Sequence, residues 1–257
     1  MVNPKKSLGQ NFLNDQNIIR KITSSINIKN RNIVEIGPGL GAITDKILEK
    51  KPKSLILIEK DKNLLEKLKI KYKNMKLIYY YNSDILTFNI EKILKKDSVI
   101  FGNLPYNISS QIFIKLIKFQ KWPPKYKNLI LMFQKEVAEK ISGKSYGRLT
   151  IMTNYKLKVL NKFNVSANCF FPKPKVTSTV INFVPIKFKK FKIKDIKNLE
   201  FITHSFFSNK RKMIKKNFFK IFKRKNVRKF DNLNLCLRPS ELNEEFYYQA
   251  TEIFENS

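Results

Sequence analysis

Histidine, cysteine and acid are what this sequence has least of. One histidine and two cysteines stand in 257 residues, and the cysteines, Cys169 and Cys236, lie far apart with no histidine beside them. That excludes a Cys/His zinc cluster and a disulfide framework, so no metal is expected and a reducing compartment fits best. The lone histidine, His204, falls in a basic helical stretch and reads as structural. No apolar run approaches the length of a membrane span, and "MVNPKKSLGQNFLND" lacks the apolar core of a signal peptide. The expectation is a soluble, cytoplasmic protein with no membrane partner. Acids number 20 against 52 lysines and arginines, a formal net charge of +32. Solubility needs far less, so the partner expected is a polyanion. AT-rich coding also inflates lysine, which makes the charge a support for nucleic-acid binding rather than a proof.

Short apolar runs alternate with amphipathic ones through the first two thirds of the chain. "NIVEI" (32–36), "SLILIE" (54–59), "KLIYYY" (76–81), "SVIFGN" (98–103) and "NLILMF" (128–133) read as buried strands. Between them "AITDKILEK", "DKNLLEKLKIKY", "IEKILKK" and "SSQIFIKLIKF" carry apolar residues at helical spacing. Strand and helix taking turns imply a doubly wound α/β sheet; further strands fit "KVLNKFNV" and "STVINFV". After Pro185 comes a basic connector, "IKFKKFKIKD", and from Leu199 the pattern is helical only. "FITHSFFSNKRKMIKKNFFKIF" reads as a helical stretch, and "RPSELNEEFYYQATEIF" opens with a helix-start signal at Pro239 and Ser240. The boundary is expected near residue 186, separating an α/β domain over 1–185 from a small all-helical domain over 186–257. There are no internal repeats.

"VEIGPGLGAIT" places Gly37, Gly39 and Gly41 between a strand and a helix, where the missing side chains allow a sharp turn and close approach to a ligand. The spacing is not the G-x-G-x-x-G dinucleotide fingerprint, and no Lys-Ser/Thr follows to grip a phosphate. Glu59 ends the next strand, where a carboxylate can accept both hydroxyls of a ribose. Asp84, after the third strand, is placed to receive an adenine amine. Either acid alone is more simply a solvated loop residue; acids and glycines at successive strand ends describe an adenosyl pocket. The fourth strand ends in "NLPY". An adenine's exocyclic amine is a poor nucleophile because its lone pair is delocalised into the ring. Two acceptors, the Asn103 side-chain oxygen and the Leu104 carbonyl, could hold its hydrogens and free that lone pair. Pro105 stiffens the turn, and Tyr106 can stack on the base. A plain proline turn ending a strand is the simpler alternative.

In the order "KKSLGQNFLND", "VEIGPGLGAIT", "IEKD", "NLPY", "FQKEVAEKI", "YGRL", "FFPKPKVTS" and "NKRKMIKKNF", the chain resembles the bacterial 16S rRNA adenine dimethyltransferases, the Ksg family. The likeness runs from about Lys5 to Phe254. The erythromycin-resistance methyltransferases share the fold and the "NLPY"-type motif, but "LGQNFL" and "SNKRKMIKKNF" look more like the Ksg branch. The resemblance implies a Rossmann-like methyltransferase sheet over 1–185 that uses S-adenosylmethionine, and a helical RNA-binding domain over 186–257. It implies two methyl groups placed on each of two adjacent adenosines in the 3′-terminal hairpin loop of 16S rRNA, within the small ribosomal subunit, by a monomer. Asn11 and Leu13 would close over the methionine end of the cofactor; from the residues alone they read as a capping turn. Gly37 would meet the cofactor through its backbone, Glu59 its ribose, Asp84 its adenine and Asn103 both the cofactor and the target amine. Phe170 falls where the family stacks a ring on the target base opposite Tyr106, with Phe171 a rival and core packing the alternative for either. "SNKRKMIKKNFFKIFKRK" (208–225) reads as a helix with one face for phosphates and Phe218, Phe219 and Phe222 on the other. A ribosome-assembly factor that acts by binding, and a DNA adenine methyltransferase, are the other readings; no spare segment is long enough for a DNA-reading insertion.

Overall fold

A computed structural model describes residues 4–187, 190–230 and 233–257. It carries a short strand β1 (Phe12–Leu13) and helix α1 (Gln16–Ser24), then β2 (Asn32–Ile36), α2 (Ala42–Glu49), β3 (Ser54–Glu59), α3 (Lys62–Lys71), β4 (Ile78–Asn82), α4 (Ile90–Ile93), β5 (Ser98–Asn103) and α5 (Ser109–Ile117). β6 (Tyr126–Gln134), α6 (Lys135–Ile141), α7 (Arg148–Lys156), β7 (Leu157–Val165), β8 (Phe170–Phe171) and β9 (Ser178–Pro185) follow. The last part is helical, with α8 (Ile196–Phe207), α9 (Lys215–Ile221) and α10 (Glu244–Glu255).

Every residue of β3 is buried, as a strand covered on both faces requires. The main sheet has the order β4-β3-β2-β5-β6-β9-β7. Its strands from β4 to β6 run parallel, and β9 returns antiparallel to β6. This is the expected doubly wound α/β sheet. The order reverses between β2 and β5, which pair through Ile36 and Gly102. Ligands of such sheets bind at the carboxyl ends of the strands at that reversal, and here those ends lead into the glycine turn and "NLPY". Helix starts are fixed locally: the carboxylate of Asp15 accepts from the N–H groups of Asn17 and Ile18, and that of Asp61 from Asn63. Each such cap contributes about 1 kcal/mol.

The contacts divide the chain into two compact units, residues 1–138 with 158–185, and residues 139–157 with 186–257. One division falls at 185/186. Residues 139–157, expected with the sheet, group instead with the helical unit. In that unit Phe206, Phe218, Phe222, Phe230, Phe246 and Tyr247 pack edge-to-face or tilted around one core. Backbone N–H groups of the connector are held by carboxylates of α10: Glu255 accepts from Lys194 at 2.7 Å and Asp195 at 2.9 Å, and Glu252 accepts from Lys192. Phe188 and Lys189 of the connector lie outside the described residues.

Two helical expectations are corrected. The stretch 208–225, read as a helix, holds α9 only over Lys215–Ile221, and residues 208–214 are non-helical turn and bend. The backbone N–H groups of Ile214 and Lys215 bond to the carbonyls of Leu237 and Leu235, at 2.8 and 3.2 Å, instead of to the preceding turn of helix. Arg211 and Lys212 therefore precede α9, and Lys215 begins it. At the other site, Pro239 starts only a single 3₁₀ turn, while α10 begins at Glu244 because the Asn243 side chain accepts from Phe246 N–H at 2.9 Å.

Candidate active site

Gly37 continues the sheet by donating its N–H to the Ile58 carbonyl at 2.9 Å. Its φ of +68° lies in the left-handed region, and a Cβ there would meet nothing nearer than the Asn103 carbonyl at 3.8 Å. The backbone is thus bare toward the crevice. Gly41 is required for a different reason: a Cβ would stand 2.5 Å from the Tyr72 hydroxyl. That hydroxyl bonds the Gly41 carbonyl at 3.3 Å and Asp45 at 2.7 Å, so α3 braces the turn from behind.

Glu59 ends β3 with 7% of its surface exposed. One carboxylate oxygen accepts the Gly39 N–H at 3.2 Å and the other the Asp61 N–H at 2.9 Å. Burial pushes its pKa up, against the pull of those backbone hydrogen bonds. Each oxygen keeps further acceptor capacity, which suits a pair of ribose hydroxyls. Asp84 is held below the usual carboxylate range, chiefly by the Lys60 ammonium at 2.8 Å and also by the Leu86 N–H at 2.9 Å. It is a charged acceptor at the rim of the same cavity.

Asn103 ends β5. Its side-chain nitrogen donates to the Asn11 carbonyl at 3.0 Å. A carbonyl can only accept, so this bond decides which way the amide faces. The amide oxygen and the Leu104 carbonyl take no hydrogen bond among the described residues, and both residues line the cavity. Leu104 turns its side chain inward, 1% exposed. Gly102 makes that possible, because a Cβ there would stand 2.7 Å from a Leu104 methyl. The Tyr106 hydroxyl is anchored to Ser178 at the start of β9, 2.5 Å away. Asn11, Leu13, Gly37, Glu59, Asp84 and Asn103 thus meet in one cavity, with Leu104 and Tyr106.

Asn11 and Leu13 do not form a capping turn; Leu13 belongs to β1, opposite Phe170 of β8. Phe170 is 4% exposed and packs in the core rather than lining the cavity, whereas Phe171 is 61% exposed. His204 is exposed on α8. The structure adds residues that motif reading passed over. Glu35, 2% exposed on β2, lines the cavity floor and accepts from the Thr44 hydroxyl at 2.6 Å. Burial, above all, pushes its pKa up to about 8. It stands inside "VEIG", and its only sequence signal is a carboxylate in an otherwise apolar strand. Asp61, whose side chain is 3% exposed, is gripped by Lys5 and Gln10. No group of three or more potential metal ligands occurs among the described residues.

A sheet reversing at β2 and β5, with a bare glycine turn beside a buried strand-end carboxylate, defines the class first: a Rossmann-like methyltransferase, with S-adenosylmethionine as methyl donor. The chain belongs to the ribosomal RNA adenine dimethylase family, whose model matches residues 1–256. It is 42% identical to "Ribosomal RNA small subunit methyltransferase A" of Pelagibacter ubique, over 99% of this chain and 98% of that one. Among solved structures, a dimethyladenosine transferase from Plasmodium falciparum superposes with a TM-score of 0.74 at 26% identity, covering 95% of this chain and 98% of that one. The 23S rRNA methyltransferase ErmE, at 21% identity and TM-score 0.70 over 95% of this chain and 99% of its own, shares the fold.

Proposed function

We propose that this protein dimethylates the N6 amines of two adjacent adenosines in the 3′-terminal hairpin loop of 16S rRNA during small-subunit assembly, acting as a cytoplasmic monomer. The observation that carries the reading is the Asn103 amide. Its nitrogen is committed to the Asn11 carbonyl, which leaves its oxygen, like the carbonyl of Leu104 in the same cavity lining, available as an acceptor. Two acceptors that converge on an NH₂ group draw the nitrogen toward a tetrahedral shape and free its lone pair. The likeness to the small-subunit methyltransferase of Pelagibacter ubique supports the small subunit as the source of the RNA.

Bound S-adenosylmethionine supplies a methyl group activated by a positively charged sulfur. Glu59 would hold the ribose, Asp84 the adenine amine, and the Gly37 backbone with Asn11 and Leu13 the methionine end. Asn103 and Leu104 would orient the target amine in line with the methyl group. Transfer would leave the donor's sulfur as a neutral thioether and the amine nitrogen cationic, acidic enough to pass its proton to water, so no strong base is needed before attack. Orientation and proximity of this kind contribute roughly 7–11 kcal/mol. The target base must leave its stack at a cost of a few kcal/mol, which aromatic stacking of about 1–3 kcal/mol per base offsets. Tyr106, fixed through Ser178, is one wall of that slot.

RNA recognition is assigned to the helical domain, with the phosphate-contacting charges in the exposed turn at Arg211 and Lys212 and at the start of α9, Lys215. The test is methyl transfer from labelled cofactor to unmethylated small subunits, with the product mapped by mass spectrometry. Two adjacent N6-dimethyladenosines near the RNA 3′ end are expected. Tight subunit binding without transfer would move the reading to an assembly factor.

A further inference from the structure

The segment Lys5–Leu13 crosses the cavity with little secondary structure of its own, one 3₁₀ turn at Lys6–Leu8 and the two residues of β1. Ordering such a segment costs about 1–2 kcal/mol per residue, so its fastenings decide where it sits. At its far end β1 pairs with β8. In the middle it lies close on "NLPYN": a Cβ on Gly9, whose φ is +62°, would stand 2.9 Å from the Asn107 side-chain oxygen and 3.5 Å from Pro105. At its near end the Lys5 ammonium reaches Asp61 at 2.9 Å, the Gln10 amide donates to the same carboxylate at 3.1 Å, and the Gln10 oxygen accepts the Lys5 N–H at 2.8 Å. Burial alone would raise the Asp61 pKa, but hydrogen bonds from Lys5, Gln10 and the Asn63 N–H outweigh it and hold the carboxyl below its usual range. Asp61 is thus a charged anchor, and its own N–H bonds to Glu59, the ribose-side acid.

We propose that Asp61 is a positioning residue for methyl transfer: through Lys5 and Gln10 it latches the segment from which the Asn11 carbonyl orients the Asn103 amide. This rests on the function proposed above. Without the Asn11 acceptor the amide is free to turn over and present its NH₂ to the target amine, placing donor against donor. The latch therefore joins the cofactor side of the cavity to the acceptor side, although Asp61 and Asn103 are 42 positions apart in sequence.

The variant Lys5→Met/Gln10→Ala in the full chain tests this while leaving the α3 cap on Asp61 in place. Proton exchange at the Asn103 side-chain amide, followed by NMR on asparagine-labelled protein, needs no substrate. It should accelerate about tenfold, and single-turnover methyl transfer should slow by about tenfold; in an Asn103→Ala background the same two changes should cost less than about twofold. Lys5→Arg, which keeps the charge, should retain wild-type values in both assays. Unchanged exchange, or an undiminished tenfold loss in the Asn103→Ala background, would overturn the latch. If the wild-type protein transfers no methyl to RNA, the proposed function fails instead, and amide exchange alone decides the latch.

Discussion

In the sheet unit Glu35, Glu59 and Asp61 are 7% exposed or less, each set against a glycine turn, a strand end or a fastening segment. In the helical unit the carboxylates of α10 hold backbone N–H groups of the connector, and lysines and arginines crowd an exposed turn. The first unit fixes single atoms in place; the second offers a field. Buried groups act through geometry, so one substitution should abolish a step. Solvated charges are screened and interchangeable, so only several together should matter.

The sharpest way to break that contrast lies at Glu59, the acid proposed to hold the ribose. Glu59→Ala should weaken cofactor binding by about a hundredfold, the worth of two charge-assisted hydrogen bonds, and leave RNA affinity unchanged. Calorimetry with S-adenosylhomocysteine, beside RNA filter binding, measures both. Next in size is Glu35. Its pKa is raised on folding to about 8, so between the ordinary carboxylate range and pH 8 the folded state binds more protons than the unfolded one, and stability falls as pH rises. The groups bearing on it are Thr44 and Asp45 of α2, Glu59 of β3, Lys71 of α3 and Tyr72 just after it. Glu35→Gln should match wild type near pH 4.5 and exceed it by a few kcal/mol at pH 8, at roughly 1.4 kcal/mol per pKa unit. Denaturant unfolding across that range checks it, and parallel curves would contradict it. Smallest is the helical unit: neutralising Arg211, Lys212 and Lys215 together should reduce the slope of log affinity against log salt by about two to three, with cofactor binding intact.

What was legible in the sequence follows the same division. That Gly37, Glu59, Asp84 and Asn103 share one cavity was legible because each sits at or just past the end of an apolar run, and strand ends of one sheet converge. The strand order itself had no signal in periodicity; it is set by crossovers. Asp61 was invisible because its partners, Lys5 and Gln10, are brought to it only by the path of the N-terminal segment. In the helical unit Ser208–Lys212 are polar throughout, a gap that also suits an exposed helix face, and the bonds that fix the break come from Leu235 and Leu237. Residues 139–157 group with that unit although they lie between two strands of the sheet, and no local pattern marks them.

The most direct test of the central claim is single-turnover methyl transfer by Asn103→Ala against wild type on unmethylated small subunits, with cofactor affinity measured on the same preparations. The account predicts a loss of about a hundredfold or more in transfer, as expected when a reacting group is no longer held in line, with cofactor affinity changed only a few-fold. Transfer at the wild-type rate would contradict it, because the amide fixed by Asn11 would then have no part in presenting the amine.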